Sequence, residues 1–233
     1  MRNDLTELVF VIDRSGSTRN IYSTSVDGFR EFINGQLATP GNINLSVYTF
    51  DSYTEAKLER ANLRKYGVAE AARKNIPQWI EPRGMTALYD AMSEAIDKTG
   101  AALAALPEAK RPSKVIVITI TDGLENCSRV PAALLRDKIR HQQDTYSWDF
   151  VFLGANQDAI LSAQVIGINA GATMDYSATE KGTRSLYQTL SNRVAGHRLA
   201  TRDALAVGAA APAYAFSPED REAVIDKADP TTP

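Results

Sequence analysis

An α/β fold built on a mostly parallel sheet is the architecture the sequence predicts, on two observations. Short, uninterrupted apolar runs alternate with longer segments of helical periodicity, the pattern of successive strand–helix units. Three of the runs, Leu8–Ile12, Val115–Ile118 and Phe150–Leu153, contain no polar residue, as expected of inner strands buried on both faces.

Taken in order, Leu8–Ile12 is the first strand, and Val26, Phe29, Ile33 and Leu37 then recur at helical spacing. Ile43, Leu45 and Val47 alternate with polar residues up to Phe50, which predicts a strand with one less-covered face; Thr54–Leu63 returns beside it as an antiparallel edge. Leu88, Ala91, Ala95 and Thr99 mark the next helix and Val115–Ile118 the central strand. Pro131 suits the first turn of a helix carrying Leu135 and Ile139. After Phe150–Leu153, the polar run Asn156-Gln157-Asp158 opens a helix that stops at Gly167. A last strand lies near Thr173–Tyr176, followed by a helix with Leu186, Leu190 and Val194.

No internal repeat is present, and one domain over residues 1–200 accounts for these elements. Residues 201–233 form an Ala- and Pro-containing tail, either packed on the domain or free. Within it Ser217-Pro218-Glu219-Asp220 reads as the capped start of a short helix, and Asp229–Pro233 as a frayed end.

Composition narrows the function classes. Of 233 residues, 44% are hydrophobic and 23% charged, as in ordinary globular proteins. Twenty-six basic against 28 acidic residues give a net charge of -2, too small a field to favour nucleic acid or an anionic membrane. Cys127 is the sole cysteine, which excludes an internal disulfide and a cysteine-rich zinc site and fits a reducing compartment. The opening residues Met1-Arg2-Asn3-Asp4 leave no room for a secretion signal before the first strand, and no apolar window reaches the ~18 residues of a membrane span, so a cytosolic location is expected.

The chemistry lies at strand ends. The first strand finishes in Asp13-Arg14-Ser15-Gly16-Ser17 and the central strand in Thr121-Asp122-Gly123, at the carboxyl edge where open α/β sheets bind ligands; Gly84-Met85-Thr86 enters the same edge before the Leu88 helix. Singly, each piece has a local explanation: Asp13, Ser15 or Thr86 caps a helix, and Asp122-Gly123 makes a turn. Jointly, Asp13, Ser15, Ser17, Thr86 and Asp122 form an all-oxygen set with two carboxylates and no His or Cys in the motif. Such a set suits a hard, hydrated cation, Mg2+ first, with Mn2+ or Ca2+ as substitutes.

The order apolar strand, D-x-S-x-S, G-x-T, apolar strand, T-D-G resembles the metal-ion-dependent adhesion site of von Willebrand factor type A domains, over about residues 5–200. The resemblance implies a Rossmann-like, doubly wound α/β sheet of six strands in the order 3-2-1-4-5-6, one edge strand antiparallel, with helices on both faces. It further implies that Ser15, Ser17 and Thr86 act as direct or near-direct ligands and that Asp13 and Asp122 act largely through water. Charged ligands that stand back leave the cation electrophilic, so an Asp or Glu of a protein partner can complete its shell.

Arg14, Thr18, Arg19, Asp51, Ser52, Arg83, Glu125, Asn126 and Asn156 follow strand ends or ligand loops and are candidates for a rim that distinguishes partners. Glu125 is alternatively a cap for the helix near Pro131. His141 and His197 have no partner at metal-ligand spacing and are expected on the surface; Trp79 and Trp148 are expected in or at the core. The rival to a metal-dependent binding module is a Mg2+-dependent phosphoryl hydrolase using Asp13 as nucleophile. Against it, Ser15 stands where the haloacid-dehalogenase pattern has a second Asp, and neither G-x-S-x-G nor a phosphate loop is present. The third reading is a scaffold whose metal is incidental.

Overall fold

The computed structural model describes residues 1–155 and 159–228. A six-stranded sheet forms its middle layer: β1 (Arg2–Asp13), β2 (Asn42–Phe50), β3 (Thr54–Asn62), β4 (Pro112–Thr121), β5 (Asp149–Ala155) and β6 (Thr173–Tyr176). The spatial order is β3-β2-β1-β4-β5-β6, with only the β2–β3 pair antiparallel, as expected. Six helices of the first rank are α1 (Tyr22–Ala38), α2 (Val68–Trp79), α3 (Leu88–Ala104), α4 (Ala132–Tyr146), α5 (Ala159–Val165) and α6 (Glu180–Ala206); the short α7 is Pro218–Ala223. α1, α2 and α6 pack together in one layer, and α3, α4 and α5 in another.

The apolar runs become the inner strands because both helical layers cover them: Leu8, Phe10, Val11, Ile116, Ile118 and Val151 are fully buried. Phe10 of β1 packs against Phe29 and Phe32 of α1, with ring centroids 4.8 and 4.9 Å away. α1 and α6 approach closely because Gly28 and Gly35 leave room; a Cβ at Gly28 would lie 2.5 Å from Tyr187 Cδ2.

Two expectations are corrected. β2 has no less-covered face: Asn44, Ser46, Tyr48 and Thr49 are all buried. Its polar residues tolerate this because they are paired, Asn44 donating to Glu7 Oε2 (3.1 Å) and Ser46 Oγ accepting from Arg60 N (2.9 Å). His197 is also buried, its Nε2 2.7 Å from Asp149 Oδ2 and its ring against Tyr214. The segment after α6 folds back over that helix and covers it, a burial that helical periodicity alone does not reveal. α6 itself runs through residue 200 to Ala206.

Beyond α6 the chain packs on the domain. Tyr214, Phe216 and Val224 are buried, Phe216 N bonds Gly171 O (2.9 Å), and Arg221 Nη2 reaches Ala170 O (2.8 Å). Ser217 and Asp220 form the expected reciprocal cap of α7. His141 is exposed, Trp148 is buried and Trp79 packs against the core, as expected. The helix opening at Asn156-Gln157-Asp158, the rim role of Asn156 and the frayed Asp229–Pro233 lie outside the described residues.

α2 has no counterpart in the sequence reading; its buried stripe, Ala69, Ala72 and Ile76, is mostly small. Pro77 lies within it and has no N–H for the carbonyl four residues earlier. That carbonyl, of Arg73, accepts from Arg30 Nε of α1 instead (3.2 Å).

Candidate metal centre

β1 lies between β2 and β4, so the chain leaves it first toward one side of the sheet and later toward the other. A crevice opens at the carboxyl end of such a switch point. Asp13 ends β1, and Asp122 follows the last residue of β4, Thr121. The third segment is brought in by backbone bonds: Arg83 N to Arg14 O (2.7 Å), Gly16 N to Gly84 O (3.2 Å) and Ala87 N to Asp51 O (2.8 Å). Gly84 has φ +73, a left-handed conformation that glycine adopts without strain, and this turn delivers Thr86 to the crevice.

All five sequence-derived residues meet there. Asp13, Ser15 and Thr86 are buried, Asp122 is half-buried and Ser17 is exposed. The position a Cβ would take on Gly123 lies 3.2 Å from Thr86 Oγ1, 3.7 Å from Ser17 Oγ and 3.9 Å from Asp13 Oδ2. Oxygens from two separate segments, the Asp13–Ser17 run and Thr86, thus surround one small space beside Gly123, which has no side chain to fill it.

Hydrogen bonds hold the oxygens in place. Thr121 Oγ1 donates to Asp13 Oδ2 (2.6 Å) and the Ser15 amide to Asp13 Oδ1 (2.7 Å). Ser17 Oγ donates to Asp122 Oδ1 (2.7 Å) and stands 2.9 Å from Ser15 Oγ. With the Ser17 proton directed to Asp122, the proton between the serines comes from Ser15, and Ser17 retains lone-pair capacity. Thr86 is fixed by Asn126, whose Oδ1 accepts from Thr86 N (3.0 Å) and whose N–H donates to Thr86 O (3.1 Å).

The electrostatics favour a cation. Burial pushes the Asp13 carboxyl up to about 6, against the lowering effect of the Thr121 and Ser15 hydrogen bonds, and the charge of Asp122 adds to the rise. Burial also raises Asp122 above the usual carboxylate range. Among the described residues no cationic side chain is among the causes that set either carboxyl. Among the described residues no group of three or more His, Cys, Asp or Glu is placed to hold an ion; the oxygens gathered at this edge are those of two carboxylates and three hydroxyls. The donor set fits a hard ion on that basis.

The candidate rim divides. Arg14 is not a solvated cation but is buried, 2.9 Å from Asp51 Oδ2 and paired with Glu55. Arg83 bonds the same two acids from outside, Nε to Asp51 Oδ2 at 2.8 Å. Glu55 is held down at about 2, first by Lys57 and then by Arg14. Thr18 is buried, donating to Ser15 O (2.9 Å) and closing the 3-10 turn at Gly16–Ile21. Glu125 accepts from Cys127 N (2.9 Å), Ser128 N (2.6 Å) and Tyr89 N (3.1 Å), so it caps α3 and not the helix after Pro131. Arg19, Ser52 and Asn126 retain surface at the edge.

The sequence reading places Asn126, Arg14, Asp51 and Arg83 on the rim, and misses the hydrogen bond of Thr121 to Asp13, the hold of Asn126 on Thr86 and the pairing of both arginines with Asp51 and Glu55. Thr121 could have been found from its place one residue before Asp122; Glu55, far along the chain, gave no signal. Cys127 lies near the Thr86 backbone. Burial and the charge of Glu125 raise its thiol, so it stays neutral and leaves the oxygen set unchanged.

The von Willebrand factor type A domain model matches residues 7–186. No curated protein matches. Among solved structures, proximal thread matrix protein 1 from the mussel byssus aligns over 82% of this chain and 46% of its own, at 15% identity and TM-score 0.59. A second structure of that protein, described as having a zinc-occupied MIDAS motif, aligns at 16% identity and TM-score 0.57, over 82% of this chain and 46% of its own. A von Willebrand factor type A protein from Catenulispora acidiphila aligns at 16% identity over 82% of this chain and 43% of its own, with TM-score 0.59. The present chain therefore spans less than half the length of these proteins. Sheet order, edge strand and matched span agree, and the chain belongs to the von Willebrand factor type A domain family.

Proposed function

We propose that the carboxyl edge holds one divalent cation, Mg2+ in preference to Mn2+ or Ca2+, and uses it to bind an Asp or Glu carboxylate of a partner protein. The observation that carries this reading is the convergence of Thr86 Oγ1, Ser17 Oγ and Asp13 Oδ2 within 4 Å of one point beside Gly123. Ser15, Ser17 and Thr86 would hold the ion by their hydroxyl oxygens. Asp13 and Asp122, each already engaged by a hydroxyl donor, would supply negative charge and accept from its waters. When bound, the ion supplies an electrophilic position for an anionic oxygen. The zinc-occupied MIDAS of the mussel protein supports a divalent ion in this family.

Binding rather than turnover is the role we infer. Both Asp13 oxygens accept strong hydrogen bonds, an arrangement that holds a carboxylate still and lowers its nucleophilicity. The test is capture of protein partners on the immobilised chain with and without chelator, comparing wild type with Thr86→Ala. Retention that requires Mg2+ and fails for Thr86→Ala is the expected result. Retention that survives chelation would assign the domain to a scaffold role, and Mg2+-dependent hydrolysis of a phosphate ester lost in Asp13→Asn would make it an enzyme.

A further inference from the structure

Around the oxygen-lined centre stands a second kind of chemistry. Tyr53, Met85 and Leu124 are large apolar side chains, and they are 74%, 51% and 63% exposed. Each belongs to a different loop of the same edge: Tyr53 to the β2–β3 turn, Met85 to the position before Thr86, Leu124 to the position after Gly123. Their backbones are fixed to one another and to the centre. Met85 N donates to Ser52 Oγ (3.1 Å), Tyr53 N to Asp51 Oδ1 (3.1 Å), and Asn126 N ties the Leu124 loop to Thr86 O (3.1 Å).

Two charged neighbours, Arg14 and Arg83, are already committed, while Arg19 keeps its surface at the edge. Arg14 and Arg83 both pair with Asp51 and Glu55. A partner rich in acids would therefore find one electrophilic position at the centre and the exposed Arg19, while Arg14 and Arg83 have their charge neutralised. Apolar flanks on the partner gain more, because they cover Tyr53, Met85 and Leu124 and exclude water from the ion–carboxylate contact, strengthening it.

We propose that Tyr53, Met85 and Leu124 form an apolar collar that selects partner segments in which the metal-bound Asp or Glu is flanked by aliphatic or aromatic residues. This rests on the cation reading above and names the chemistry of the partner. The collar side chains touch the flanks and not the ion, so ion uptake and flank selection are separable.

The experiment titrates three blocked peptides, Gly-Leu-Asp-Leu-Gly, Gly-Gly-Asp-Gly-Gly and Gly-Asp-Asp-Asp-Gly, into the full chain by NMR, in saturating Mg2+ and in EDTA, with Mg2+ uptake measured separately by calorimetry. The Leu-flanked peptide is expected to bind at least about tenfold tighter than the Gly-flanked one, in Mg2+ only. In the combined Tyr53→Ser, Met85→Ser, Leu124→Ser variant that advantage falls to within about twofold while Mg2+ uptake stays at the wild-type level. Equal affinity for the Leu- and Gly-flanked peptides, or tightest binding of the polyacidic one, would overturn the collar and leave the cation reading standing. Absent Mg2+ uptake, binding that persists in EDTA, or uptake without Mg2+-dependent binding of any peptide would overturn both.

Discussion

Replacing Asp13 by Asn separates the stability of the empty centre from its capacity for metal, and the two should move in opposite directions. Burial lifts the Asp13 carboxyl from an ordinary 3.8 to about 6, which at about 1.4 kcal/mol per tenfold change places about 3 kcal/mol of penalty on its charged form. Asparagine is nearly isosteric and can keep the contacts. Its Oδ1 accepts from the Ser15 amide, while its Nδ2 donates to Thr121 Oγ1, which already has Gly123 O at 2.9 Å as an alternative acceptor. The chelated variant is therefore expected to exceed wild type by up to about 3 kcal/mol at pH 7, or about 6–12 °C in Tm for a domain of this size. The sign follows from linkage. A carboxyl whose folded pKa is raised binds its proton more tightly in the native state, so its penalty is full above about pH 6 and vanishes below 3.8. Urea unfolding in EDTA at pH 7 and at about pH 4 reads the effect: the gain should disappear at the lower pH, and saturating Mg2+ should stabilise wild type but not the variant. A chelated Asp13→Asn protein less stable than wild type at pH 7, or one still stabilised by Mg2+, would refute the reasoning.

Gly123→Ala places a methyl 3.2 Å from Thr86 Oγ1 and 3.7 Å from Ser17 Oγ, so calorimetry should show Mg2+ affinity reduced at least about tenfold while unfolding stability changes by less than about 1 kcal/mol. Gly28→Ala drives its methyl to within 2.5 Å of Tyr187 Cδ2, and the α1–α6 contact should lose about 1–3 kcal/mol in urea unfolding. Glu7 is fully buried, and burial raises its carboxyl against the pull of Arg60 and Asn44. Its charged form is thus disfavoured in the native state above that raised value and costs nothing below 4.5, so Glu7→Gln should gain on wild type between about pH 4 and pH 7; a stability difference independent of pH would contradict this.

The parts of the fold that were legible in the sequence are those whose signal is local. Leu8–Ile12 and Val115–Ile118 are apolar on both faces and are therefore central; Thr54 begins the edge strand and Thr173–Tyr176 is β6. The five candidate ligands were legible because strand ends in parallel sheets share an edge, so position along the chain translated into proximity. What failed was set by residues remote in sequence. Arg14 reads as a rim residue because its partners, Asp51 and Glu55, arrive on a hairpin. His197 looked exposed because Tyr214, which covers it, lies beyond the helix end. β2 looked half-covered because alternation marks polarity, and polar residues such as Asn44 and Ser46 can be buried once paired.

The most direct test of the account is the stoichiometry and location of cation binding. Titration of the metal-free chain with Mn2+, followed by electron paramagnetic resonance and competed with Mg2+, should reveal one hydrated ion per chain that Mg2+ displaces and that Thr86→Ala and Ser17→Ala each weaken. A chain that takes up no ion, or takes it up equally well without the Thr86 and Ser17 hydroxyls, would contradict the claim that oxygens gathered at this sheet edge form a metal centre.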